Sequence, residues 1–515
     1  MTFLFRSSIL LLLSLFLAFG MAPGPTLSGS DRLRIFISDT HFGVGKVNGH
    51  WHNFEDARWA PEFAAFLEEM NRMGKGKADL ILNGDTFELW QSLDPNDCTV
   101  PANKNLGCTE DDALKRLQRV IQFHQPELTS IGTFAKSGDN TVTIVPGNHD
   151  AALLFPKVAQ KVLIAINAPA DRVRVATEGD WLSQDGLIYA EHGQQIGKEV
   201  NKFDHWPQPF IDYKGVRYLQ RPWGEQFVQR FYNMYEDKYP IIDNISDEAI
   251  GVKFGLKAEG SAAVPRDLGK FIAFYLTELS WSQLGTNLGA PDEHPNWDVE
   301  AIRADGVKFL AESLPSNDPL SDAAQRQISQ GTFGISIEDL QTEDIIEICN
   351  LRQAVRTEDL SAGRPPSVKA CPRKDLGAIT QQLLSSRRKI FEEHFNKAYL
   401  RLKHDNRADQ TFQLFVYSHT HKADPGFQPL NGSPWNPFVV NTGAWQRTVT
   451  PEQLAKIQKL RNLTDQKVLT LQPEDLPPCY PVVLVAPYKD APQSSLRFWT
   501  NEAGTWRLGD TCAAN

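Results

Sequence analysis

No Cys-x-x-Cys pair occurs in this chain, and its six cysteines, Cys98, Cys108, Cys349, Cys371, Cys479 and Cys512, are spread over 515 residues. That spacing excludes a thioredoxin-like redox motif and argues against a thiolate zinc site, because both need sulfurs a few residues apart. Taken as neighbours, the cysteines form three sequence-close pairs, which suits disulfides in an oxidising compartment. Basic residues are also in short supply: 53 Lys and Arg stand against 63 Asp and Glu, for a formal net charge of -10. A chain of that sign has no overall attraction for nucleic acid or an anionic membrane, so nucleic acid is not expected as a partner.

Long apolar runs are missing too. The run from Ile9 to Phe19 is well short of the ~20 residues that span a bilayer. It follows Arg6 and leads into the small residues Ala18, Gly20 and Ala22. This pattern reads as a secretory signal peptide over 1–22, so the mature protein is expected to be secreted or periplasmic and to have no transmembrane helix. There is no internal repeat and no low-complexity tract. What remains is the composition of a globular enzyme, 41% hydrophobic and 23% charged, with length for two or three domains of roughly 100 to 200 residues each.

Several short apolar, β-branched runs end abruptly in polar residues. Leu33–Ser38 stops at Asp39-Thr40-His41, and Asp79–Asn83 at Gly84-Asp85. Val142–Val145 is cut by Pro146-Gly147 and leaves Asn148, His149 and Asp150 side by side; Leu187–Ala190 runs into His192-Gly193; and Phe412–Tyr417 empties into Ser418-His419-Thr420-His421. Helical periodicity fills the gaps at about Trp59–Met73, Asp111–Phe134 and Ala151–Ile166. Strand alternating with helix is the signature of an α/β layered domain, in which ligands collect outside the carboxyl ends of the strands. Residues 201–410 break the pattern and read as an inserted, mainly helical cap. Arg217, Arg221 and Arg230 within it read as solvated helix faces, and Lys270–Trp281 as a buried helix. Phe438–Trp445 reads as one more strand and turn, and Pro481–Ala486 and Ser495–Thr500 as closing antiparallel strands.

A lone histidine is usually a surface or satisfied core residue, but five of the twelve histidines fall at these strand ends beside carboxylates and an amide. Oxygen ligands mixed with imidazole nitrogen suit Mn, Fe or Zn rather than Ca. Seven such groups, Asp39, His41, Asp85, Asn148, His192, His419 and His421, are too many for one ion that keeps an open position. They fit two divalent or trivalent ions sharing a carboxylate, ~3.5–4 Å apart, with a bridging hydroxide able to attack phosphorus in line. Phosphoester hydrolysis is the chemistry this set points to.

In this order, Asp39-x-His41, Gly84-Asp85, Gly147-Asn148-His149-Asp150, His192-Gly193 and His419-x-His421 resemble the five motif blocks of calcineurin-like metallophosphoesterases. The resemblance implies a layered β-sandwich flanked by helices, its core split into 30–200 and 411–515 by the 201–410 insertion. It implies Asp39, His41 and His421 on one metal, Asn148, His192 and His419 on the other, and Asp85 between them. His149 would be a catalytic group over the phosphate, with Asp150 orienting it. Gly84–Trp90 and Asn441–Trp445 resemble the branch that includes UDP-2,3-diacylglucosamine pyrophosphatases, which implies cleavage of a pyrophosphate or phosphodiester in a phosphorylated small-molecule or lipid-linked substrate. Purple acid phosphatases need a tyrosine where Glu88 stands. Ser418 occupies a position that is usually glycine, a change expected to alter loop geometry rather than ligand identity. A nuclease of the same superfamily, or a catalytically silent binding protein, is the alternative.

Overall fold

A computed structural model describes residues 30–245 and 376–512, apart from a few short stretches within them. The expected signal peptide, Lys270–Trp281, Cys349 and Cys371 lie outside the described residues, as does most of the 201–410 stretch. The described chain is mixed α/β. A seven-stranded sheet has the order β17 (Thr505–Gly509), β16 (Ser494–Glu502), β15 (Cys479–Val485), β1 (Leu33–Ile37), β4 (Ala78–Asn83), β6 (Thr141–Val145) and β7 (Val173–Val175). A five-stranded sheet runs β13 (Asp424–Phe427), β14 (Phe438–Asn441), β12 (Leu414–Tyr417), β9 (Ile188–Ala190) and β8 (Trp181–Leu182).

The register explains how distant sequence blocks share one place. Strands β1, β4 and β6 are parallel neighbours, and so are β9, β12 and β14. Parallel pairing puts the carboxyl ends of each trio on one edge of its sheet. The period-two alternation of the strands then sets the layers. Ile35, Ile37, Leu80, Leu82, Val142 and Ile144 are buried with the apolar faces of α1 (Ala60–Gly74), α2 (Glu110–Lys136) and α3 (Pro156–Ile166). The alternate residues Phe36, Ile81 and Val145 share a second cluster with Ile188, Ala190, Leu414, Val416 and Val440 of the other sheet. The far face of that sheet, carrying Tyr189, Phe415 and Val439, packs Phe391, Phe395 and Leu402 of the Leu376–His404 helix. Phe36 stands between the sheets and meets Trp181 edge-on at 5.5 Å; truncating it to alanine would cost about 3–5 kcal/mol.

Two helices have the extents their periodicity suggests, to within a residue or two. α1 buries Phe63, Phe66, Leu67 and Met70 at helical spacing, with a proline in its first turn and Lys75 in left-handed conformation as its stop. α2 opens on Thr109, whose side chain accepts from the Asp112 N–H, and is kinked at His124 ahead of Pro126. The third expected helix starts late. Ala151–Leu154 is a single 3-10 turn, and the α-helix begins at Pro156, because proline lacks the N–H that a helix interior needs but fits its first position.

The stretch expected to be mainly helical opens instead with strands. β10 (Phe210–Tyr213) and β11 (Val216–Gln220) form a hairpin that adds to β5 (Leu106–Thr109). Its turn residues Lys214 and Gly215 have φ of 50° and 80°, as a two-residue type I′ hairpin requires. Arg217 is exposed and pairs with Asp212, whereas Arg221 is buried beside Glu225 and Gln229 and so is no solvated helix face. A last hairpin, β2 (Lys46–Val47) with β3 (His50–Trp51), precedes α1. Disulfides join Cys98 to Cys108 and Cys479 to Cys512. Among the described residues no helix is long and apolar enough to cross a membrane.

Candidate metal centre

At the meeting edges of the two sheets, the strand-end residues sit in sharp turns. Asp39, His41, Asp85, His419 and His421 all have positive φ, at 49°, 45°, 49°, 70° and 56°. Few residues other than glycine adopt this region, and those that do are held there by their surroundings. Asp39 N–H donates to Gly84 O at 3.0 Å and His41 N–H to Asp85 O at 3.1 Å, so the β1 and β4 turns lock each other. On the other sheet the Asn441 amide donates to Ser418 O and to Thr420 Oγ1, gripping the turn that carries both histidines. Two glycines make the approach possible. A Cβ on Gly84 would lie 2.2 Å from His192 Nδ1, and one on Gly147 2.2 Å from Asp85 Oδ1.

These turns bring all seven candidate ligands together. Asp39, His41 and His421 form one group and Asp85, His192 and His419 another, each with ligand atoms within 4.8 Å of one another. Asn148 joins the second group through Oδ1, 3.1 Å from His192 Nε2. Asp85 Oδ2 is 2.9 Å from the same nitrogen. Asp39 Oδ1 lies 3.3 Å from His421 Nε2, 4.0 Å from His41 Nε2 and 3.9 Å from His192 Nε2, so this carboxylate faces both groups.

His149 stands at the rim, 16% exposed. The orienting role expected of Asp150 falls to another residue. Asp150 is fully buried and accepts from the backbone N–H groups of Gly147, Thr86 and Phe87, tying the β4 and β6 turns together. The group on His149 Nδ1 is Glu88, at 2.5 Å. The same Glu88 oxygen meets His41 Nδ1 at 3.0 Å, while the other accepts from Trp90 and Gln91 N–H. Trp90 stacks on the His149 ring at 4.0 Å between centroids. Glu88 was not among the residues singled out as site groups. Its signal was its place three residues after Asp85, close enough to return to the site.

The electrostatics show what the site has to satisfy. Burial pulls His192 down, but Asp85 and Asp39 push it back up to about 9. Burial and then the Glu88 and Asp85 charges act likewise on His149, leaving it at about 9. His419 goes the other way, to about 3, through burial and its neighbour His192. Asp150 is raised to about 7 by burial and by Asp85.

The donor set fits cations. Neither oxygen of Asp39, 0% exposed, has a donor in hydrogen-bonding geometry, and His41 Nε2 is unpartnered as well. Buried polar atoms are rarely left so. His41 turns Nδ1 to Glu88, and His192 turns Nδ1 to Asn83 O and to Ser418 Oγ, at 3.1 Å each. An imidazole whose Nδ1 proton is engaged this way presents the Nε2 lone pair, as ligating histidines do. Ser418 is fully buried, and its hydroxyl also reaches Asn83 O and His192 O.

No protein-family model matches this chain. No curated protein matches it either.

Proposed function

We propose that this protein is a dinuclear metal-dependent hydrolase of the calcineurin-like metallophosphoesterase type, cleaving a phosphoester or phosphoanhydride bond. One observation carries the reading: residues from five strand ends, up to 382 positions apart in the chain (Asp39 to His421), converge on two adjoining groups of buried imidazole and carboxylate with orphaned ligand atoms. The two facing sheets between helical layers suit the same family. Asp39, His41 and His421 would hold one ion and Asn148, His192 and His419 the other, with Asp85 shared; Mn, Fe or Zn suits this ligand set. The bound ions supply Lewis acidity and nucleophilic water near neutral pH.

The chain's own residues do the rest. Glu88 keeps a proton on His149 Nδ1 and its charge favours the imidazolium, so Nε2 carries the proton that a leaving oxygen needs. Trp90 limits rotation of that ring, and Asp150 keeps the two turns in register. The substrate class is a phosphorylated small molecule or a lipid-linked phosphate, and the two disulfides suit a secreted or periplasmic setting. The deciding experiment is a panel of aryl phosphate mono- and diesters, nucleotide sugars and phospholipids, on protein stripped with chelator and reloaded with Mn, Fe or Zn. About two ions per chain and metal-dependent hydrolysis are expected. Two bound ions without turnover on any substrate would point to a silent binding protein instead, and a strong preference for DNA to a nuclease.

A further inference from the structure

A second set of ligand atoms lies outside the two groups above and contains no histidine. Asp56, Glu236 and Asp243 each bring a carboxylate oxygen within 4.8 Å of the others. Asp56 is 2% exposed and Glu236 0%. Asp56 Oδ1 and Glu236 Oε1 are buried with no hydrogen-bond partner. Among the described residues, the one donor these three side chains receive is the Gln91 amide on Glu236 Oε2. Among the described residues no lysine or arginine pairs with any of the three. Arg58, two residues from Asp56, spends its guanidinium on Glu55 O, His52 O and Glu474. Buried carboxylates in such company need either protons or a cation, because uncompensated charge in an apolar interior costs several kcal/mol per ion.

We propose that Asp56, Glu236 and Asp243 form a separate calcium site. Three carboxylates without nitrogen or sulfur suit a hard cation. Their oxygens lie within 4.8 Å of one another; calcium is bound by several protein carboxylates at once, whereas magnesium keeps most of its waters and takes one or two, so three carboxylates favour calcium. The ion has a mechanical consequence. Asp56 belongs to the loop after β3, while Glu236 ends the short helix Asn233–Glu236 and Asp243 lies in the turns that follow it; the Asn53 amide already donates to Asp237 O across the same junction. Gln91 carries the link onward, since its backbone N–H donates to Glu88 Oε1. Calcium would therefore clamp residues 236–243 to the loop whose Glu88 holds His41 and His149.

The site does not depend on the hydrolase reading, and its test leaves that reading aside. The full chain is first loaded with manganese, so that calcium is not scored at the histidine-bearing groups, and then dialysed against radiolabelled calcium. One calcium per chain is expected, together with a calcium-dependent rise in the unfolding midpoint. Asp56→Asn and Glu236→Gln should abolish both and keep the manganese content. If neither variant folds, Asp243→Asn, at the half-exposed rim, is read the same way. Failure of the wild type to bind calcium, or equal binding by the variants, overturns the proposal. So does magnesium taken in place of calcium, or an Asp56→Asn midpoint raised equally with and without calcium, which would mean that shared protons neutralise the cluster.

Discussion

Of the histidines held by glutamates in this protein, His149 and His124 differ in almost everything else. His149 is at a strand end, 16% exposed, with Glu88 on Nδ1 and Trp90 against its face. His124 is inside α2 at the kink, 1% exposed, with Glu55 3.1 Å from Nε2, Glu127 3.5 Å from Nδ1 and Phe42 stacked on its ring. Both are driven down by burial and then pushed up by their carboxylates, to about 9 and about 10. An imidazole–carboxylate pair is therefore no mark of a site by itself. What separates the two is access and company: His149 faces a cluster of other ligating groups, while His124 uses Nε2 to tie its helix to the Glu55 loop and turns Nδ1 to Glu127 of the same helix.

The sharpest way to break this contrast is to remove the group both metal sets would share. Asp85→Ala should abolish metal binding and bring turnover on an aryl phosphate below detection; full activity would end the hydrolase reading. His149→Ala comes next, with kcat reduced by ~10²–10⁴ and metal content by mass spectrometry unchanged. Asn148→Ala should instead lower the affinity for one ion, and equal metal loss in both variants would mean the division of roles is wrong. His124→Ala should leave turnover per folded molecule intact but lower stability in urea by about 3 kcal/mol, because it removes the positive partner of two buried carboxylates. Glu88→Gln should cost about 10–100-fold in activity, as loss of an orienting partner does, whereas Asp150→Asn should show mainly in the unfolding midpoint.

The smallest effect is the pH dependence. His124 has a folded pKa raised to about 10 from an ordinary 6.5, so the folded state holds its proton more tightly. Its contribution to stability is fully present below about pH 6.5 and is lost as pH rises through about 10. Urea titrations at pH 6 and pH 9.5 should show a loss in the wild type that His124→Gln lacks.

The strand ends were readable because a strand announces itself locally: a β-branched run, a glycine or proline, then polar residues. Helix boundaries followed from the same local rules, and the late start of α3 could have been read from Pro156. The β10–β11 hairpin was missed because aromatic, mixed sequence around Lys214-Gly215 has no clean alternation; only its pairing to β5 shows what it does. The partner of His149 was misassigned to the adjacent residue, Asp150, because adjacency is all that a sequence displays. Neighbouring side chains in a turn point apart, and the carboxylate that reaches the ring comes from Glu88, 61 positions earlier.

By itself, then, the sequence determined which groups stand at strand ends and that they are oxygens and imidazoles rather than thiolates, since composition and turn chemistry act over a few residues. The tertiary structure decided which ends meet. Parallel pairing within each sheet and packing between the sheets put Asp39 against both histidine groups, set Glu88 under His41 and His149, and gathered Asp56, Glu236 and Asp243 into a cluster. Such contacts join residues tens to hundreds of positions apart, and they form only when burial of the apolar faces draws the layers together.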